Sequence, residues 1–216
     1  MWIELSILVV LLIIIFMVGV PDPCAVFDTN SIYPDLEALE KDIDAISNEV
    51  KDIKIDWKTY PESLLTKNRN ALKDKWTMIP LIVNGQRVEK NLSLVPKISS
   101  LVSDIKGVES VLINKLSSNS SVEPYYGWAE SSDNFLRNNL LLTKNKKDTC
   151  SITVGKETKP YVYGKWITYD NSLEHSETNK DSEDRIVLII DMERPDSITP
   201  GESPISFKEG PQSTSK

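Results

Sequence analysis

The amino-acid sequence predicts a mainly β domain, a sandwich or jelly roll, behind a supporting amphipathic helix and an apolar N-terminal segment. Three observations carry that expectation. Short stretches rich in β-branched, leucine and aromatic residues recur from about Trp76: "VESVLINKL", "FLRNNLLLT", "TCSITVG", "PYVYGKWITYD" and "RIVLIIDME". Turn signals such as "NKKD", "GKETK" and "NSLEHSETNKDSED" separate them. Their even spacing suits stacked antiparallel sheets rather than βαβ units.

Composition narrows the function classes. The 216 residues allow one compact domain with appendages, and a 40% hydrophobic share is enough to bury a core. Basic and acidic residues number 25 and 32, for a formal charge of −7. Lys and Arg are dispersed rather than gathered in a stripe, which excludes nucleic acid as the expected partner. Cys24 and Cys150 make neither a disulfide framework nor a zinc spacing.

Along the chain, residues 1–20 come first: "MWIELSILVVLLIIIFMVGV", near-apolar from Trp2 and apolar without a break from Ile7. Nineteen helical residues rise roughly 28 Å, close to the hydrocarbon thickness of a bilayer, so a single transmembrane anchor is expected. A cleaved signal peptide would need a basic n-region and small residues before the cut, whereas Glu4 and "PDPC" stand there. No Lys or Arg flanks the span closely, and the α-amine favours a cytoplasmic N-terminus. The domain would then be lumenal or extracytoplasmic, where the sequons at Asn91 and Asn119 are usable.

Residues 21–31 read as a turn-rich connector, residues 32–196 as the domain, and the Pro/Gly/Ser-rich residues 197–216 as a disordered tail. The domain opens on "PDLEALEKDIDAISNEVKDIKIDW", a helix whose Leu36, Leu39, Ile43, Ile46, Val50 and Ile53 form one apolar seam. With fewer than three heptads, packing onto the domain is favoured over a coiled-coil stalk.

The last strand brings chemistry into view. At period two, Arg185, Val187, Ile189 and Asp191 share one face, and Ile186, Leu188 and Ile190 the other. An arginine on an inward face cannot shed its proton and needs an anion held by paired hydrogen bonds. That anion is either an internal Asp or Glu or the carboxylate of a ligand. Arg137, on one face with Asn139 and Leu141, poses the same choice. Two inward arginines suit a dicarboxylate clamped at both ends.

The stretch "YDNSLEHSETNKDSEDRIVLIIDMERP" resembles the C-terminal signature of the aspartyl/asparaginyl β-hydroxylases. There an F-D-D-S-x-x-H segment supplies an iron-binding histidine, and an arginine ten residues later binds the far carboxylate of 2-oxoglutarate. "KWTMIPLIVNGQ", "VPKISSLVSDIKGVESVLINKL", "SVEPYYGW", "LRNNLLL" and "YGKWITYD" follow the family order, so the resemblance spans roughly residues 32–195. It implies a double-stranded β-helix using Fe(II) and 2-oxoglutarate to hydroxylate Asp or Asn side chains of a protein or peptide substrate.

Carried over residue by residue, the resemblance makes His175 an iron ligand and Arg185 the arginine for the far carboxylate. Arg137 matches the arginine at the cosubstrate's other end. Asn139 stands where the family usually has histidine, and Asn114 where it has serine. The family's P-H-x-G motif is "PYYG" here, Pro124 to Gly127, so Tyr125 takes the place of the other iron-binding histidine. A neutral phenol is a poor ligand, and it ionises only near pH ~10 when unperturbed. Asp170 and Glu174 are expected to shape the turn before His175; Trp128 is a substrate platform or ordinary packing. Three functions stay open: a hydroxylase with an unorthodox second ligand, a pseudoenzyme serving as a binding or scaffold module, and a 2-oxoglutarate-responsive binder.

Overall fold

The computed structural model describes residues 25–51 and 53–207 of the chain. The expected anchor at residues 1–20 lies outside them; among the described residues no helix is long and apolar enough to cross a membrane. Every strand pairing is antiparallel. The larger sheet runs in the order β1 (Val26–Phe27), β10 (Trp166–Tyr169), β7 (Phe135–Leu141), β12 (Arg185–Glu193), β5 (Val108–Leu116), β3 (Trp76–Val83) and β2 (Lys58–Thr59), with β4 (Gln86–Arg87) also on β3. The smaller sheet runs β6 (Ser120–Tyr125), β11 (His175–Asn179), β8 (Cys150–Val154) and β9 (Glu157–Pro160). This is the mainly β jelly roll that the strand spacing predicts.

Period-two alternation decides which way each strand of the large sheet looks. Leu188 and Ile190 of β12 point outward with Leu136 and Leu140 of β7. Val187 and Ile189 point inward, with Leu141, Leu112 and Leu116, toward Ile152 and Val154 of the smaller sheet. The outer face is covered by helices, so both faces of the sheet are buried and its central strands carry apolar residues on each. A leucine buried as completely as Leu188 contributes about 2–5 kcal/mol relative to alanine.

The amphipathic segment covers the outer face in three pieces rather than one helix. A 3-10 turn, Pro34–Leu36, leads into α1 (Glu37–Lys41) and then α2 (Ile43–Lys51). The break falls at Asp42, whose φ of −100° and ψ of 17° leave the helical region. Leu36, Leu39, Ile46 and Val50 are buried in the outer core together with Ile98 and Val102 of α3 (Pro96–Ser103). The seam is therefore satisfied within the domain, as the packed-helix reading requires. Gly164 lets α2 approach: at φ +71° a Cβ would meet Ile43 at 3.1 Å.

Three segments differ from expectation. The connector already contains β1, and Ala25 accepts a hydrogen bond from the Asp170 amide. The polar "HSETN" reads as a turn but forms β11, because His175, Glu177 and Asn179 alternate inward while Ser176 and Thr178 look outward. Residues 197–207, expected to be disordered, are laid against α4 (Ala129–Ser132): Ala129 donates to the Ile205 carbonyl and Phe207 stacks on Trp128 at 4.0 Å. Residues 208–216 lie outside the described residues.

Candidate metal and carboxylate site

Strand β11 delivers His175 into the space between the sheets, opposite Tyr125 of β6 in register. The imidazole lies against two phenol rings, with centroids 4.1 Å away at Tyr125 and 5.6 Å at Tyr169. Its Nδ1 donates to the Leu173 carbonyl at 2.8 Å, and its buried Nε2 has no partner among the described residues. Burial lowers its pKa below the usual histidine value, so the ring is neutral. A neutral ring with Nδ1 tied to a backbone carbonyl and Nε2 bare is the presentation that a metal-binding histidine uses.

Among the described residues nothing completes that ligand set. Tyr125 donates its hydroxyl to Glu62 Oε2 at 2.9 Å, and burial pushes the phenol well above its ordinary pKa. It is a neutral donor already engaged. Glu62, the nearest carboxylate to it, arrives on a 3-10 turn, Pro61–Leu65, and is itself occupied by Arg137. Although burial opposes ionisation, the Arg137 guanidinium holds Glu62 below the ordinary carboxylate range. Among the described residues, no group of three or more His, Cys, Asp or Glu could hold a metal ion. One imidazole nitrogen fits iron; the donor set as a whole does not.

Both arginines are where the alternation puts them, on the inner face, and both already have anions. Arg137 grips its cross-strand neighbour Asp191 with Nε and Nη2, at 2.8 and 3.0 Å. Its Nη1 donates to Glu62 at 2.8 Å and to the Tyr60 hydroxyl at 2.9 Å. Arg185 reaches from the large sheet to the small one, pairing Nη1 with Glu177 and placing Nη2 3.2 Å from Asn114 Oδ1. Its guanidinium also lies over the Tyr161 ring, 4.9 Å from the centroid. Asn139 donates to the Tyr161 hydroxyl at 2.8 Å, and Asn114 Oδ1 also accepts from Trp76 Nε1 at 3.2 Å.

The ligand-carboxylate reading of the arginines thus gives way to internal ion pairing. Two guanidinium groups face three carboxylates, Glu62, Asp191 and Glu177, all nearly inaccessible to solvent. Burial raises the pKa of Asp191 even beside Arg137, and the nearby Glu62 carboxylate adds to the rise. A dicarboxylate entering here would add two more charges to a closed interior, against the desolvation cost of unpaired ions. The residues present therefore do not fit 2-oxoglutarate.

The loop before His175 is braced from behind. Asp170 accepts from the Ser172 amide at 2.9 Å and pairs with Arg194 at 2.8 Å, while Glu174 is exposed. A Cβ at Gly127 would come within 2.3 Å of Asn171 Nδ2, so this close approach needs glycine. Trp128 packs under Phe207 rather than standing as a free platform. Sequence reasoning missed Glu62 and Glu177. Glu177 was findable, being two residues after His175 on a strand; Glu62 had no local signal.

Comparison with known proteins agrees with this architecture. The aspartyl/asparaginyl β-hydroxylase family matches residues 37–195. An oxidoreductase of the 2OG-Fe(II) oxygenase family from Burkholderia pseudomallei shares the fold, with 14% identity and a TM-score of 0.52 over 74% of this chain and 82% of that one. The cupin domain of Cnp3 from Schizosaccharomyces pombe aligns over 56% of this chain and 66% of its own, with 7% identity and a TM-score of 0.37. No curated protein matches the chain significantly. The motif order, the β sandwich and the family match over most of the domain lead to one conclusion: the chain belongs to the aspartyl/asparaginyl β-hydroxylase family.

Proposed function

We propose that this chain is a non-catalytic member of its family, a membrane-tethered module that uses the jelly roll to bind a protein or peptide partner. The observation that carries the reading is the ligand set at His175. The ring opposite it is a phenol committed to Glu62, and among the described residues no other donor joins the bare Nε2. Oxygen activation in the family runs on Fe(II) with 2-oxoglutarate, and a single imidazole is a poor holder of that metal.

Titration calorimetry of the full chain in detergent, with Mn(II) and then 2-oxoglutarate, tests this directly. The expected result is no metal-dependent binding of 2-oxoglutarate and no succinate formed with Fe(II) and oxygen. Tyr125→His should raise metal affinity markedly, since it restores a second nitrogen beside a correctly presented His175. Metal-dependent cosubstrate binding by the unaltered chain would overturn the reading in favour of an active or 2-oxoglutarate-responsive protein.

The proposed tether is residues 1–20, apolar without a break from Ile7, and we assign the domain to a lumenal or extracytoplasmic compartment. One sequon is open to modification there. Asn119 is exposed at the turn between β5 and β6, whereas Asn91 is buried and donates to the Pro80 carbonyl at 2.7 Å. A glycosidase-sensitive mobility shift lost in Asn119→Gln but kept in Asn91→Gln is expected after expression in a secretory host. Absence of any shift counts against this compartment.

A further inference from the structure

We propose that the loop and short helix from Gly127 to Asp133 form a peptide-binding surface, and that the chain's own residues 201–207 occupy it in place of a partner. The inference deepens the peptide-binding part of the reading above and rests on it. The tail is gripped mainly by its backbone, at alternate positions. The Gly201 amide donates to the Asp133 carbonyl at 2.8 Å, and the Ser203 amide to Asp133 Oδ1 at 2.9 Å. The Ile205 carbonyl accepts from the Ala129 amide at 2.7 Å, and the Phe207 amide donates to Glu130 Oε2 at 3.1 Å. Glu202 and Pro204, which fall between these contacts, face solvent. Backbone bonds for affinity, with a side chain read at every second residue, are a mode of peptide recognition.

The side chains at those positions define what the surface selects. A Cβ on Gly201 would come within 2.4 Å of Ser172 Oγ, so the first place takes glycine. The Ser203 hydroxyl donates to the Gly127 carbonyl, and Phe207 stacks on Trp128 with ring centroids 4.0 Å apart. The fitting ligand is a segment of the form Gly-x-Ser-x-aliphatic-x-aromatic. The tail's hold is exchangeable. Phe207 stays 59% exposed while Trp128 beneath it is only 9% exposed, so the tail covers the surface without burying much of itself. A segment held with so few buried apolar contacts opens at low cost. A partner segment of the same pattern then replaces each contact and leaves the core untouched.

The probe is a synthetic peptide of residues 199–207, TPGESPISF, titrated calorimetrically into the full chain in detergent. A second chain has its tail released by Gly201→Val, which clashes with Ser172, and Phe207→Ala, which removes the stack. Tethered, the segment acts at an effective concentration of about 1 mM, so a surface mostly covered by it implies a Kd near ~0.1 mM for the free peptide. The unaltered chain should bind the probe at least about tenfold more weakly than the released chain. Within the released chain, Trp128→Ala should weaken binding by a further factor of about ten. Asp133→Ala should also weaken it, and decides the point if Trp128→Ala does not fold. No binding to the released chain at about 1 mM probe overturns the proposal. So does equal binding to both chains, or binding indifferent to Trp128 and Asp133. Each of those results leaves the non-catalytic reading intact, because that reading turns on metal and 2-oxoglutarate. Metal-dependent binding of 2-oxoglutarate overturns the non-catalytic reading and leaves the peptide titration to be judged by its own result.

Discussion

On the outer face of the large sheet, Leu188 and Ile190 lie among Leu39, Ile46, Ile98 and Leu136 in a mainly apolar cluster, with Asn138 donating to the Ile190 carbonyl. One residue along the same strand, the inner face carries Arg185 and Asp191 at either end of Val187 and Ile189, and meets Glu62, Arg137, Glu177 and His175. The outer face gains stability from area removed from water, which is non-directional and tolerant of similar apolar shapes. The inner face holds charges that are affordable only while each has its partner. One face stabilises the jelly roll; the other holds His175 beside two arginines whose charges are met from within the domain.

The largest effect that separates the two faces should come from breaking the inner network at one point. Arg185→Ala leaves Glu177 as an uncompensated buried charge and should cost about 3–5 kcal/mol in urea unfolding. Replacing both partners, Arg185→Met with Glu177→Leu, should recover most of that loss or exceed the starting stability. If the double variant is as unstable as the single one, the pair is a net source of stability and the contrast between the faces fails.

A smaller effect follows from His175. Its folded pKa is lowered by burial, so the unfolded chain takes up a proton first as the pH falls. The histidine's contribution is fully present above about pH 6.5 and is lost as the pH falls through the folded value, at up to about 1.4 kcal/mol per unit. Asp191, with a raised pKa, acts in the opposite sense, so the informative quantity is a difference between variants. Unfolding free energies of the native chain and His175→Phe between pH 7.5 and 5.5 should diverge, the variant losing less on acidification. Parallel profiles would mean the imidazole is not held neutral by its surroundings.

Much of the frame is legible without coordinates. The β12 alternation places Arg185, Val187, Ile189 and Asp191 on one face, and the structure puts that face inward with Arg185 paired at its start and Asp191 at its end. The seam from Leu36 to Val50 shows which side of the helical segment is buried, although the break at Asp42 has no clear sign in the sequence. Strand β11 is hidden because its inward residues are His175, Glu177 and Asn179. Polar side chains signal a turn unless one knows that ionic partners await them.

From the sequence alone come the antiparallel β class, the buried faces of its strands and the family to which the motifs point, because side-chain period and motif order are local properties of the chain. The departure of Tyr125 from the family pattern is equally visible there. Only the tertiary structure decided whether Arg137 and Arg185 wait for a ligand or are already satisfied. Glu62 is 75 positions from Arg137, and Glu177 meets Arg185 from the other sheet. Which carboxylate ends up beside a buried guanidinium depends on how the sheets stack and where one short turn inserts, and no local pattern encodes that meeting.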